Sequence, residues 1–154
     1  VIFERYLMTG FNYRMTDIQA ALGIEQLKRL DSILAERQRL AAIYTKSLKG
    51  LRGLHTLTEA SYARTNWQSY VISIENPSAQ KPVMQALLNL GISTRRGVMC
   101  AHLEEPYAAA WPAGCLPHSK AARDRGIILP LYPSMPKADL EKVVSVLREV
   151  VGTW

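Results

Sequence analysis

The sequence predicts an α+β fold: a small sheet covered by helices and preceded by a long helical connector. Three observations predict it. Between residues 17 and 50 apolar side chains recur at helical spacing, whereas 67–74 and 126–131 read as strands. The last stretch places Leu140, Val143, Val144, Leu147, Val150 and Val151 on one face of a strongly amphipathic helix. The resulting order, helix-helix-strand-helix-strand-helix-strand-helix, segregates helices around a small sheet. No internal repeat, low-complexity tract or second boundary interrupts it. Residues 1–154 therefore read as one domain, with a connector and interface segment at 1–50 and an α+β core at 51–154.

Taken in order, Val1 to Thr9 alternates loosely and reads as a strand or an extended lead-in. Thr16 followed by Gln19 is a capping box, and Ile18, Ala21, Leu22, Leu27 and Leu30 form the helical face behind it. Asp31 is expected to cap a second helix, which runs to Leu48 and is ended by Gly50 and Gly53. A polar loop follows. Trp67 to Ile74 alternates and is rich in β-formers, so it is read as a strand. Asn76-Pro77-Ser78 breaks it and starts a helix through Leu90, closed by Gly91. Ile92 to Thr94 is a short strand candidate. Gly97 to Pro117 is irregular, and a loop that long in a compact domain is usually functional or poorly ordered. His118 to Arg125 is a short helix, and Gly126 to Leu131 a buried strand stopped by Pro130 and Pro133. Ser134 is the expected cap of the last helix, with Pro136 in its first turn.

Composition narrows the function classes. The 48% apolar and 21% charged content of 154 residues is that of a globular chain with a real core. No apolar run approaches the roughly 20 residues of a membrane helix, and Val1-Ile2-Phe3 is followed at once by Glu4 and Arg5, which is no signal peptide. Cys100 and Cys115 form no C-x-x-C pair and no zinc spacing, so they are expected to be reduced thiols of a cytoplasmic protein without a metal. Nineteen Lys and Arg against thirteen Asp and Glu give +6, which admits nucleic acid, anionic lipid or phosphorylated small molecules. The cations from Lys28 to Arg52 are interleaved with Glu25, Asp31 and Glu36, the pattern of a solvated face, so nucleic acid is not the expected partner. Arg14, Arg95 and Arg96 lie outside that pattern. The phosphate-loop, dinucleotide, zinc-protease and nucleophile-elbow motifs are all absent. Adjacent Glu104 and Glu105 form no recognisable acid–base pair.

The residues that stand out are few. Asn12-Tyr13-Arg14 forms a polar, aromatic and basic hook ahead of the capped helix, whose N-terminus favours anions. Arg95 and Arg96 are neighbours after a short strand, so at most one faces a given pocket. An arginine fork suits a diphosphate. His102 shares the irregular loop with Tyr107, and imidazole both donates and accepts towards sugar hydroxyls. Each also has a plainer reading, as a turn residue, a surface arginine or a solvated loop histidine.

Three stretches carry a resemblance: Gly10-Phe11-Asn12-Tyr13-Arg14-Met15-Thr16-Asp17-Ile18-Gln19-Ala20-Ala21-Leu22-Gly23, then Gly91 to Gly97 with His102 and Tyr107, then Arg125 to Pro133. Together they resemble the DegT/DnrJ/EryC1/StrS family of pyridoxal-phosphate sugar aminotransferases. The resemblance implies the C-terminal, small domain of a fold-type I enzyme. Its Schiff-base lysine would lie in a larger preceding domain absent from this chain, leaving no catalytic residue here and an isolated chain without activity. It further implies that Asn12 reaches across a homodimer to the cofactor phosphate of the partner subunit, with Arg14 near it. Tyr13, Arg95, Arg96, His102 and Tyr107 would contact a nucleotide-diphosphate sugar. The whole enzyme would move an amino group from an amino acid, glutamate by expectation, to a keto sugar on its nucleotide carrier, in cell-surface polysaccharide or amino-sugar biosynthesis. The rival reading is a non-catalytic module for nucleotide-sugar binding or dimerisation.

Overall fold

The helical period of the connector resolves into two helices, α1 (Asp17–Leu27) and α2 (Leu30–Leu48). The computed structural model describes residues 1–112 and 114–152. Thr16 closes α1 with the expected box: its hydroxyl accepts from the Gln19 amide at 3.3 Å, and its own N–H donates to Gln19 Oε1 at 2.9 Å. Asp31 does not cap α2. The N-cap is Arg29, without a side-chain bond, because the helix starts before Asp31, which lies in the first turn. There a carboxylate still meets the positive end of the helix dipole. Gly50 and Gly53 turn the chain away with φ of 76° and 80°, values only glycine adopts freely.

A four-stranded antiparallel sheet follows: β1 (Leu54–Thr56), β2 (Tyr70–Ile74), β3 (Arg95–Arg96) and β4 (Gly126–Leu129), ordered β1-β2-β4-β3. Ile72 is paired with Thr56 on one side and Ile127 on the other. β1 falls in the stretch expected to be a polar loop; three residues are too few to show alternation. β2 starts at Tyr70 instead of Trp67, because Trp67 is left-handed with φ 50°. β3 is Arg95–Arg96, downstream of the expected Ile92 to Thr94; Ile92 is buried as the chain leaves the helix, without strand pairing. β4 ends at Leu129, two residues short of the expected Leu131. Val1 to Thr9 is the extended lead-in and not a strand.

Helices close the sheet into a core. Asn76 accepts from Ser78 N–H at 3.1 Å and caps a 3₁₀ turn, Pro77–Ala79, which runs into α3 (Gln80–Asn89). A second 3₁₀ turn, Ala101–Leu103, and the single-turn α4 (Glu105–Ala108) break up the irregular stretch, and α5 (Pro117–Arg125) leads into β4. Pro136 itself is the N-cap of α6 (Lys137–Val151); the expected cap Ser134 is left-handed at φ 64° and plays no such part. Leu40 and Tyr44 of α2, Leu87 of α3 and Leu147 of α6 pack with Ile72 and Ile127 of the sheet, all almost wholly buried. Gln80 is the buried polar side chain among the described residues. It donates to the Arg123 and Gly126 carbonyls at 2.7 and 2.8 Å, tying α3 to the α5–β4 corner.

Both cysteines are free thiols; Cys100 is buried and donates to the Ser119 carbonyl at 3.3 Å. Among the described residues no helix is long and apolar enough to cross a membrane, and no group of His, Cys, Asp or Glu is placed to hold a metal.

Candidate functional site

β3 is an edge strand, and the lead-in segment supplies what covers it. The Arg96 guanidinium lies over the Phe3 ring, 4.8 Å from its centroid. Arg95 pairs with Glu4 at 3.1 Å, Arg5 pairs with Glu105, and Tyr6 reaches both Glu104, through its backbone N–H at 3.3 Å, and the Met99 sulfur, through its hydroxyl at 2.8 Å. Residues 3–6 thus form a strap from β3 to α4. A backbone hydrogen bond, and after it the Arg95 guanidinium, holds the Glu4 carboxyl below its ordinary value.

The two arginines differ. Arg95 is exposed and paired, whereas Arg96 is half-buried and its Nε and Nη2 are covered without a hydrogen-bond partner. Beyond β3, His102 of the second 3₁₀ turn and Tyr107 of α4 line one cavity of about 550 Å³, with Met99, Trp111, Leu116 and Ser119. The strap therefore draws Arg95, Arg96 and the wall carrying His102 and Tyr107 into one region. That region holds an imidazole, a phenol and an apolar floor, beside a guanidinium whose Nε and Nη2 are covered.

The hook stands apart. Asn12, Tyr13 and Arg14 are exposed; Tyr13 leans on Phe11 with ring centroids 6.5 Å apart. Among the described residues neither Asn12 nor Arg14 has a hydrogen bond or ion pair, and no such bond joins the hook to the β3 edge. α1 behind it buries no residue: Ile18, Leu22 and Leu27 are 84%, 63% and 65% exposed. Amide and guanidinium donors beside a helix N-terminus suit a phosphate. Sequence reasoning missed Phe3, Glu4 and Trp67. Only Trp67 carried a local signal, Asn66, whose Oδ1 accepts from Gln68 N–H at 3.0 Å in an Asx turn.

Residues 3–148 match the DegT/DnrJ/EryC1/StrS aminotransferase family. The chain belongs to this family. Among solved structures it is similar to a DegT/DnrJ/EryC1/StrS aminotransferase from Brucella abortus, at 28% identity and a TM-score of 0.77 over 98% of this chain. It is also similar to DesV of S. venezuelae, at 27% identity and a TM-score of 0.82 over 94% of the chain. Helicobacter pylori PseC, an aminotransferase involved in the biosynthesis of pseudoaminic acid, shares the fold at 18% identity, with a TM-score of 0.83 over 96% of the chain. The DegT-family chain described here spans 40%, 38% and 40% of those proteins respectively. The α+β class expected from sequence is the fold of that part of an aminotransferase.

Proposed function

We propose that this DegT-family chain forms one wall of a pyridoxal-phosphate-dependent sugar aminotransferase that works as a homodimer. Bound pyridoxal phosphate supplies the electron sink for moving an amino group. In this reading Asn12 and Arg14 hold its phosphate from the partner's side. Asn12 donates without adding charge, and Arg14 supplies the cation. Tyr13, His102, Tyr107 and one of the neighbouring pair Arg95 and Arg96 orient a nucleotide-linked keto sugar, the exposed Arg95 being the one whose guanidinium an anionic oxygen can reach. The amino donor is an amino acid, and the lysine that holds the cofactor belongs to a preceding domain.

The observation that carries the reading is the state of the hook: two phosphate-seeking side chains, exposed and without partners, ahead of a capped helix with a bare apolar face. That bare face equally favours the second reading, a dimerisation or nucleotide-sugar-binding module without catalysis.

The test extends the chain through a lysine-bearing domain and assays transfer from glutamate to a nucleotide-linked keto sugar. Asn12→Ala is expected to raise the cofactor concentration needed for half-maximal activity about tenfold, leaving the saturated rate within twofold. Unchanged cofactor demand removes Asn12 from the site. Nucleotide-sugar binding without transfer favours the second reading. With the 154-residue chain alone, a cofactor absorbance band that survives dialysis and vanishes on substituting one lysine contradicts the first.

A further inference from the structure

At the opposite edge of the sheet from Arg95 and Arg96, β1 leads into residues 57–67, and between them and α2 opens a groove of about 720 Å³. A space of that size takes a small molecule of nucleotide dimensions. Lys46, Lys49 and Arg64 line it. Among the described residues none of these three side chains has an ion pair or a hydrogen bond, whereas those of Lys28 and Arg39 on the same helical connector are paired with Glu25 and Glu36. The groove's one carboxylate, Glu59, is already engaged by the Thr65 backbone N–H. Three cations facing one concavity with a single acid raise the local potential and favour an anion there.

The floor has an independent peculiarity. Trp67 lines the groove in a left-handed conformation, φ 50°, which a bulky residue adopts only when its surroundings impose it. Arg37 imposes it from α2, donating Nη1 to the Trp67 and Gln68 carbonyls at 2.9 and 2.8 Å. The indole stacks on Tyr70 with centroids 5.4 Å apart, and the Tyr70 hydroxyl is in turn bonded to Thr45 at 2.9 Å. A planar, pre-positioned indole thus sits among unpaired cations. Aromatic stacking and charge-assisted phosphate bonds are what a ring-bearing phosphate needs.

We propose that this groove is a second ligand site for a phosphorylated small molecule with a planar ring. Lys46, Lys49 and Arg64 hold the phosphate and Trp67 carries the ring. The site is independent of the reading given to the hook and the β3 edge.

The experiment follows the Trp67 indole N–H resonance of the 154-residue chain, assigned by its loss in Trp67→Phe. It is titrated with uridine diphosphate, inorganic pyrophosphate and uridine. A saturable shift with uridine diphosphate is expected, with at least threefold weaker binding of pyrophosphate and of uridine. Lys49→Gln/Arg64→Gln is expected to weaken nucleotide binding tenfold or more while other amides hold their positions, and Arg96→Gln to leave it unchanged. Should the double variant's spectrum collapse, Lys46→Gln alone is expected to weaken binding at least threefold. The proposal is overturned by no saturable shift, by pyrophosphate binding as tightly as the nucleotide, by an unchanged affinity in the groove variants, or by its loss in Arg96→Gln.

Discussion

The Arg96 guanidinium sits over the ring of Phe3, 4.8 Å from its centroid, while two of its nitrogens are covered without a hydrogen-bond partner. The aromatic face compensates part of what those nitrogens lose on leaving water. Phe3→Ala removes that compensation and the half-buried anchor of the strap. The expected outcome is a loss of about 1 kcal/mol in urea unfolding. Amide exchange should quicken at residues 3–9 far more than in α3 or α6, which separates local release from general loosening.

Gly97 and Gly126 meet backbone to backbone. Gly97 N–H donates to the Gly126 carbonyl at 2.8 Å, and a Cβ on Gly97 falls 2.9 Å from Gly126 Cα. Gly97→Ala therefore forces β3 away from β4. A cost of about 1–3 kcal/mol is expected. In a nitrogen-edited spectrum the disturbed amides should be those of Arg95, Arg96 and the Gly126 corner, with α2 left as it was.

Tyr44 is fully buried, and its hydroxyl donates to the Pro130 carbonyl at 2.9 Å. Tyr44→Phe is expected to cost about 1 kcal/mol at neutral pH. Burial pushes the Tyr44 phenol far above its ordinary 10.0, and burial raises Tyr70 as well. A raised folded value leaves stability intact below pH 10 and removes it as the pH rises further, because the unfolded chain ionises first. Urea midpoints above pH 10 should fall steeply in the parent and less steeply in Tyr44→Phe, with Tyr70 supplying the remainder.

Asp124 predicts the opposite limb. Burial raises its carboxyl, but Lys120 and then Arg123 outweigh that and hold it below the ordinary 3.8. A depressed folded value contributes stability above pH 3.8 that is lost as acid carries the pH down through it. Asp124→Asn should lower the melting temperature at pH 6 and flatten its decline in acid. An unchanged acid limb removes Asp124 from its causes.

Long-period features were legible and short ones were not. The capping box, the connector's helical period and the face from Leu140 to Val151 each have enough residues to fix a phase. β1 and β3, three and two residues long, are defined by partners distant in sequence: Leu54 by Ile74, Arg96 by Ile127. The misplaced caps have the same origin. Asp31 and Ser134 have capping chemistry, but tertiary packing begins α2 earlier and α6 later. For the site, the hook and the arginine pair are visible as residue types. The strap and the groove are not, since Phe3 meets Arg96 and Arg37 meets Trp67 only after folding.

α1 has one further consequence. Eleven residues make a marginal helix in water, and this one gains nothing from burial within its own chain. Its order is borrowed from whatever surface covers Ile18, Leu22 and Leu27. If Asn12 holds a phosphate as proposed, its grip should therefore tighten with protein concentration, so that dilution alone would loosen a guest without any contact to it being altered.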